Sequence, residues 1–277
     1  APPVRGDVHQ PTDATLRNAG YPRFAGPTTF ADEATLRYHL TGGLQLEMEQ
    51  EIFVASREDA VAGRIFSMDF AIGEVGETGE QPVELTKLRA SYTAHGMNQR
   101  LPASHLLGTS FALAGDERLL TVEDANGEIN LGQVTDGGLV PGRLLAGFLP
   151  VLPAESLSTG SRWVSEQAIE TLEGWSWAGG DMVYENEVTA MSESDGALIV
   201  TVQSIGRATL HAAEGREGFI GEGELERSVE WSFDATTGML LNYSLMQEAS
   251  GTSQLPQGEV PVRQFTRVEL QEDFGVE

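Results

Sequence analysis

Cysteine is missing from all 277 residues. Disulfides, thiol catalysis and thiolate-bound metal are thereby excluded for this chain. Lysine is nearly missing as well, with Lys87 standing alone, and 17 Lys plus Arg face 42 Asp plus Glu for a formal charge of -25. No run of basic residues offsets that charge, so nucleic acid and anionic membrane surfaces are repelled rather than bound. No run of ~20 apolar residues is present, so no segment of the sequence reads as membrane-spanning. Phosphate loops of the Gly-x-x-x-x-Gly-Lys or strand-bound Gly-x-Gly-x-x-Gly kind are lacking, as is the Gly-x-Ser-x-Gly elbow of a serine nucleophile. The chain starts at Ala1-Pro2-Pro3 without Met, basic n-region or apolar h-region. That start is expected of a chain trimmed on export or by cloning, and points to a periplasmic or extracellular protein, with lipid anchoring through a residue upstream of Ala1 left open.

What is present is a chain with 40% hydrophobic residues, enough for a sizeable core. Residues 1–29 carry Pro2, Pro3, Pro11, Pro22 and Pro27 with Gly6, Gly20 and Gly26, which break helix and strand alike. They read as a proline-rich arm. Arg5-Gly6-Asp7 spells an adhesion tripeptide, but three residues recur by chance. Residues 30–277 read as a single β domain, or as two similar halves meeting near 144–163. Ser56-Arg57-Glu58-Asp59-Ala60 and Ser192-Glu193-Ser194-Asp195-Gly196, each ahead of a strand, are the echo behind the second version.

Strand patterns dominate. Leu36, Tyr38 and Leu40 alternate, then Leu44, Leu46, Met48, Ile52 and Val54 share one face while Gln45, Glu47, Glu49 and Glu51 take the other. Phe66, Met68, Phe70 and Ile72 repeat the device, and Leu88, Ala90 and Tyr92 follow. After a short helix or turn at 101–107 and a hairpin signal at Asn126-Gly127 comes the most apolar region, Val140 to Leu152. Its prolines limit it to one short helix around Arg143 to Phe148 with an extended exit. Beyond it, Glu187 to Val202 turns at Ser194-Asp195-Gly196, Val229 to Leu245 turns at Asp234 to Gly238, and Arg263 to Leu270 ends the series. The expected fold is all-β: antiparallel meanders forming a large twisted sheet, sandwich or half-barrel, with one or two short helices.

Reactive constellations are weak. His9, His39, His95, His105 and His211 lack ligand spacing, so no metal site is assigned. Asn186-Glu187 faintly matches an acid/base dipeptide of glycosidases, but no alternation of strand and helix surrounds it. Glu47, Glu49 and Glu51, like Glu222, Glu224 and Glu226, stand ~6.7 Å apart along a strand face, too wide for one cation to bridge. Asp124, Asn126 and Glu128 open like a calcium loop, but Ile129 stands where glycine is needed. No catalytic residue and no cofactor is assigned. Trp175 and Trp177 fall on one side of a strand, where they form a binding platform or close the core. Phe148, Leu149 and Val151 have the same two readings, a plug inside or a patch for a partner, membrane surface or lipid.

The order of these features resembles exported bacterial all-β envelope proteins of unknown function. It rests on Leu106-Leu107-Gly108-Thr109-Ser110-Phe111, Phe148-Leu149-Pro150 to Pro153, Gly160-Ser161-Arg162-Trp163 and Gly238 in a hairpin. The resemblance implies an envelope setting and brings no catalytic residues. The functional expectation is a non-catalytic accessory subunit docking on a larger, membrane-bound or soluble, protein assembly through the arm and an apolar patch. The alternative is a periplasmic carrier of a lipid or other hydrophobic ligand between a curved sheet and the central helix.

Overall fold

The computed structural model describes residues 33–54, 60, 62–76, 80–94, 97–100, 106–116, 119–123, 141–168, 177–212, 219–255 and 258–273. In chain order come β1 (Gly42–Val54), β2 (Ala62–Ile72), β3 (Gln81–Ala94), β4 (Met97–Arg100), β5 (Ser110–Asp116) and β6 (Leu119–Glu123). One helix follows, α1 (Pro141–Phe148). The second series is β7 (Arg162–Ala168), β8 (Trp177–Gly179), β9 (Asp181–Ser194), β10 (Ala197–Ala212), β11 (Phe219–Asp234), β12 (Met239–Leu255) and β13 (Gly258–Asp273). Helix α1 starts two residues before the expected Arg143, because Pro141 lacks an N–H that the first helical position would leave idle anyway. Pro150 prevents its continuation.

All thirteen strands join one antiparallel sheet, so the sandwich option gives way to a single layer. The path runs β6-β5-β3-β2-β1-β13-β12-β11-β10-β9-β7, with β4 on β3 and β8 on β10. Two meanders are thus zipped together by their outermost strands in sequence, β1 and β13, in register from Gly43 opposite Asp273 to Val54 opposite Val262. The free edges are β6 and β7, and among the described residues they do not pair with each other, so the sheet is not closed.

The sheet is strongly curled. A Cβ at Gly142 would lie 2.9 Å from the Phe111 ring of β5, while at the other end of α1 the Phe148 ring is 6.4 Å from that of Tyr243 on β12. In a flat sheet β5 and β12 would be about 24 Å apart, yet an eight-residue helix spans about 12 Å. Curvature brings them within its reach.

Period-two patterning decides which face is inside. Leu44, Leu46, Met48 and Ile52 are buried, and the outward Glu47, Glu49 and Glu51 are exposed. Glu49 faces Arg267, and Glu226 meets Arg207 at 3.3 Å. Such exposed pairs are worth about 0 to 1 kcal/mol, so burial and not charge holds the sheet. Leu36, Tyr38 and Leu40 have strand periodicity but no place in the sheet. They form a strap, because an extended chain alternates whether or not it is paired. Ala34 exchanges two hydrogen bonds with Leu157, Tyr38 Oη donates to Pro150 O at 2.6 Å, and His39 N donates to Gly238 O at 2.8 Å. The expected hairpins at Asp195-Gly196 and Asp234 to Gly238 are present, with Asp195 at φ 51° and Gly196 at φ 86°.

Asp234 fastens the second of these turns. Burial pushes its carboxyl up, but hydrogen bonds from Thr237 Oγ1 at 2.6 Å and Thr236 N at 2.9 Å outweigh that and hold it below the ordinary range. A depressed folded pKa contributes stability that is present above the unfolded value, near 3.9, and is lost as pH falls through the folded value. Asp234→Asn is therefore expected to lower the melting temperature at pH near 6, and the gap should close progressively in acid below about pH 4. Melts at a series of pH values that show a constant gap would contradict this role.

Candidate ligand site on the inner face

The inner face is layered. Rows running across the strands are apolar near the strap, as in Met68, Leu46, Leu270, Tyr243, Trp231 and Val202. The next row adds Phe66, Met48, Val268, Leu245 and Val229. Then comes a polar row: Tyr92, Arg64, Gln50, Thr266, Gln247, Arg227, Gly206, Tyr184 and Ser165, each opposite the next on adjoining strands. Gln50, Arg64, Thr266, Gln247, Arg227 and Tyr184 are all buried. Beyond them the next row reads Ile52, Gln264, Ala249 and Leu225, apolar except for the buried Gln264.

Within that row Arg227 is the best-defined group. Its Nε donates to Gln247 Oε1 at 2.7 Å and its Nη1 to Tyr184 Oη at 2.9 Å, while the guanidinium carbon lies 5.9 Å from the centre of the Phe148 ring. Both polar partners are neutral, and among the described residues no carboxylate comes within ion-pair distance of it. Burial disfavours its charge, but a guanidinium is basic enough to stay cationic, and its hydrogen bonds to Tyr184 and Gln247 favour the charged form. Burial raises the Tyr243 hydroxyl well above its ordinary pKa, keeping it neutral. Gly206 makes the geometry possible: a Cβ there would lie 2.6 Å from the Tyr184 ring, so only glycine lets that ring lie flat on β10 and aim its hydroxyl at Arg227.

At the β1–β13 part of the row, Gln50 Nε2 and, from the next row, Gln264 Nε2 both donate to Thr266 Oγ1, at 3.4 and 3.1 Å. Gln50 Oε1 and Gln264 Oε1 are buried without a hydrogen-bond partner among the described residues. An unmet buried acceptor costs about 1 to 3 kcal/mol, which core packing alone gives no reason to retain.

Phe148, Pro150, Tyr184, Trp231 and Tyr243 line a small, partly open pocket of about 20 Å³, the room of one water. Phe148 is its roof. A wider hollow of about 600 Å³ lies against β7, β9, β10 and β11. Within its lining Arg162 pairs with Glu187 at 2.9 Å, while Glu185 and Glu230 leave the hollow acidic.

Of the residues singled out from sequence, Phe148 and Leu149 are interior, at 7% and 1% exposure, and Val151 is half-buried beside the pocket. They take the plug position and not the exposed one, because the bend after α1 turns the apolar run onto the sheet. Trp177 belongs to β8, and Trp175 lies outside the described residues, as do residues 1–29 and Asn126-Gly127. Asn186 and Glu187 point to opposite faces, Asn186 donating to Ser165 Oγ at 3.0 Å and Glu187 pairing outside. They do not form an acid/base pair. Among the described residues no group of three or more His, Asp or Glu is placed to hold a metal, and no helix is long and apolar enough to cross a membrane. Sequence reading passed over Arg227 and Gln50. The available signal was a polar residue in phase with the apolar face, Gln50 between Met48 and Ile52 and Arg227 between Leu225 and Val229.

No family model matches the chain. No curated protein matches it either. A solved structure described as "lipid-protein interactions in lipovitellin" aligns with 86% of this chain at 8% identity and a TM-score of 0.45, and the chain spans 26% of that structure's length.

Proposed function

We propose that the protein is a non-catalytic carrier that holds a hydrophobic or amphipathic ligand between the inner face of the sheet and α1. The observation behind this reading is the covering of that face. A curled sheet with deep apolar rows is roofed near Tyr243 and Trp231 by the end of one eight-residue helix, whose Phe148 ring covers a pocket. Displacing the end of an eight-residue helix disturbs few hydrogen bonds, whereas opening the sheet would break a ladder. An exported setting, periplasmic or extracellular, belongs to the same proposal. Docking on a larger assembly leans on residues 1–29 and stands second here.

The test is direct. Organic extraction of protein purified without detergent should yield lipid, and a neutral fluorescent apolar probe should bind the delipidated chain. Phe148→Ala removes the roof and is expected to tighten probe binding about fivefold or more, since Phe-to-Ala changes at buried sites leave open volume. A chain that yields no lipid and takes up no probe, with or without the ring, would sink the carrier reading.

A further inference from the structure

We infer that the ligand is a long-chain carboxylate whose anionic head group pairs with Arg227, its chain running along the apolar rows beneath α1. This rests on the carrier reading and gives it a chemical class. Three observations meet at the same place.

The first is a charge without a countercharge among the described residues. A molecule with 42 acidic side chains has enough carboxylates to neutralise every internal cation, yet the described polar partners of Arg227 are the amide of Gln247 and the hydroxyl of Tyr184. A buried guanidinium is strongly favoured by an anion in its fork, and weakly by neutral acceptors. The described carboxylate of the inner face, Glu272, sits opposite Leu44, three rows and ~20 Å from Arg227 along the strands. The second is position. Arg227 adjoins Val229 along β11 and borders, through Tyr184, the pocket that Phe148 roofs. A head group at Arg227 therefore places the adjoining chain on the apolar rows of Val229 and Trp231. The third is the ring itself. Phe148 stacks toward the guanidinium at 5.9 Å, the place a ligand would enter, so in the present state a weak cation–π contact stands in for the stronger ion pair. The acidic exterior fits the same picture: it repels anionic membranes while a single neutralised fatty acid is accepted inside.

The experiment uses the full chain, delipidated, at neutral pH, titrated with a fluorescent long-chain fatty acid and with its methyl ester, which keeps the chain and removes the charge. The acid should bind about tenfold or more tightly than the ester, the gap expected of one charge-assisted pair. In Arg227→Met the acid should fall to the level of the ester while ester binding stays unchanged. Arg227→Lys, a second variant in case the first does not fold, should retain part of the preference. Acetate at high concentration should not displace the acid, because it has no chain. Equal binding of acid and ester by the unaltered protein, or a preference that survives Arg227→Met, would overturn the head-group assignment and leave the carrier reading standing. Displacement by acetate would make Arg227 a site for small anions and overturn the chain's placement. Failure of both acid and ester to bind would overturn the carrier reading itself.

Discussion

Trp231→Ala is expected to cost about 3 to 5 kcal/mol, against total stabilities of about 5 to 15 kcal/mol for folded domains. Trp231 is 1% exposed on the central stretch of β11. Its ring meets Trp163 edge-on at 6.3 Å and Phe233 at 6.4 Å, and its Nε1 donates to Ser204 Oγ at 3.1 Å. Truncation leaves a void that rigid strands on both sides cannot collapse into, and strands the Ser204 hydroxyl. Trp163 is the control. It is half-buried on edge strand β7, and its buried Nε1 lacks a hydrogen-bond partner among the described residues. Trp163→Ala should cost far less, about 1 to 2 kcal/mol, because little hydrogen bonding is lost and the edge can relax. Denaturant titrations followed by circular dichroism decide it. Equal losses for the two would show that the ring stack, and not the depth of burial, sets stability here.

The alternation that buries Leu44, Leu46 and Met48 was legible in the sequence, as were the turns at Asp195-Gly196 and Gly238, because these are local matters of pleat and dihedral angle. The strap was legible only as an alternating segment. Nothing in Leu36, Tyr38 and Leu40 distinguishes a chain bonded to Leu157, Pro150 and Gly238 from one in a ladder. The seam was hidden for a different reason: β1 and β13 are joined by register alone, across nearly the whole chain, and many long strands offer the same pattern to one another. The polar row depends on that register. Gln50, Thr266, Gln247 and Arg227 each look like one flaw in one strand, and only the pairing of β1, β13, β12 and β11 shows that the flaws line up. The central run was read for its apolar side chains, but the chemistry its helix covers comes from strands elsewhere in the sequence.

Gly238→Ala should destabilise the fold by about 3 kcal/mol or more, through two effects that a second glycine separates. Gly238 has φ +82°, and a Cβ there would lie 2.7 Å from Arg37 O, 2.7 Å from His39 Cβ and 2.8 Å from His39 N. Those are strap atoms, two of them backbone, and they cannot swing aside as a side-chain tip can. Gly196 has nearly the same dihedral, φ +86°, with nothing within 4 Å of the added carbon. Gly196→Ala therefore carries only the backbone cost of a left-handed residue, about 1 to 2 kcal/mol. The excess at Gly238 measures how firmly the strap is held. Displacing it would break the bond from His39 N to Gly238 O and loosen Leu36 and Leu40, each now almost fully buried and worth about 1.5 to 3 kcal/mol. Partial proteolysis within residues 33–41 should accompany the loss in Gly238→Ala and be absent in Gly196→Ala. If both substitutions cost the same and neither exposes the strap, then the strap yields without penalty, and the sheet alone must account for the stability of the core beneath it.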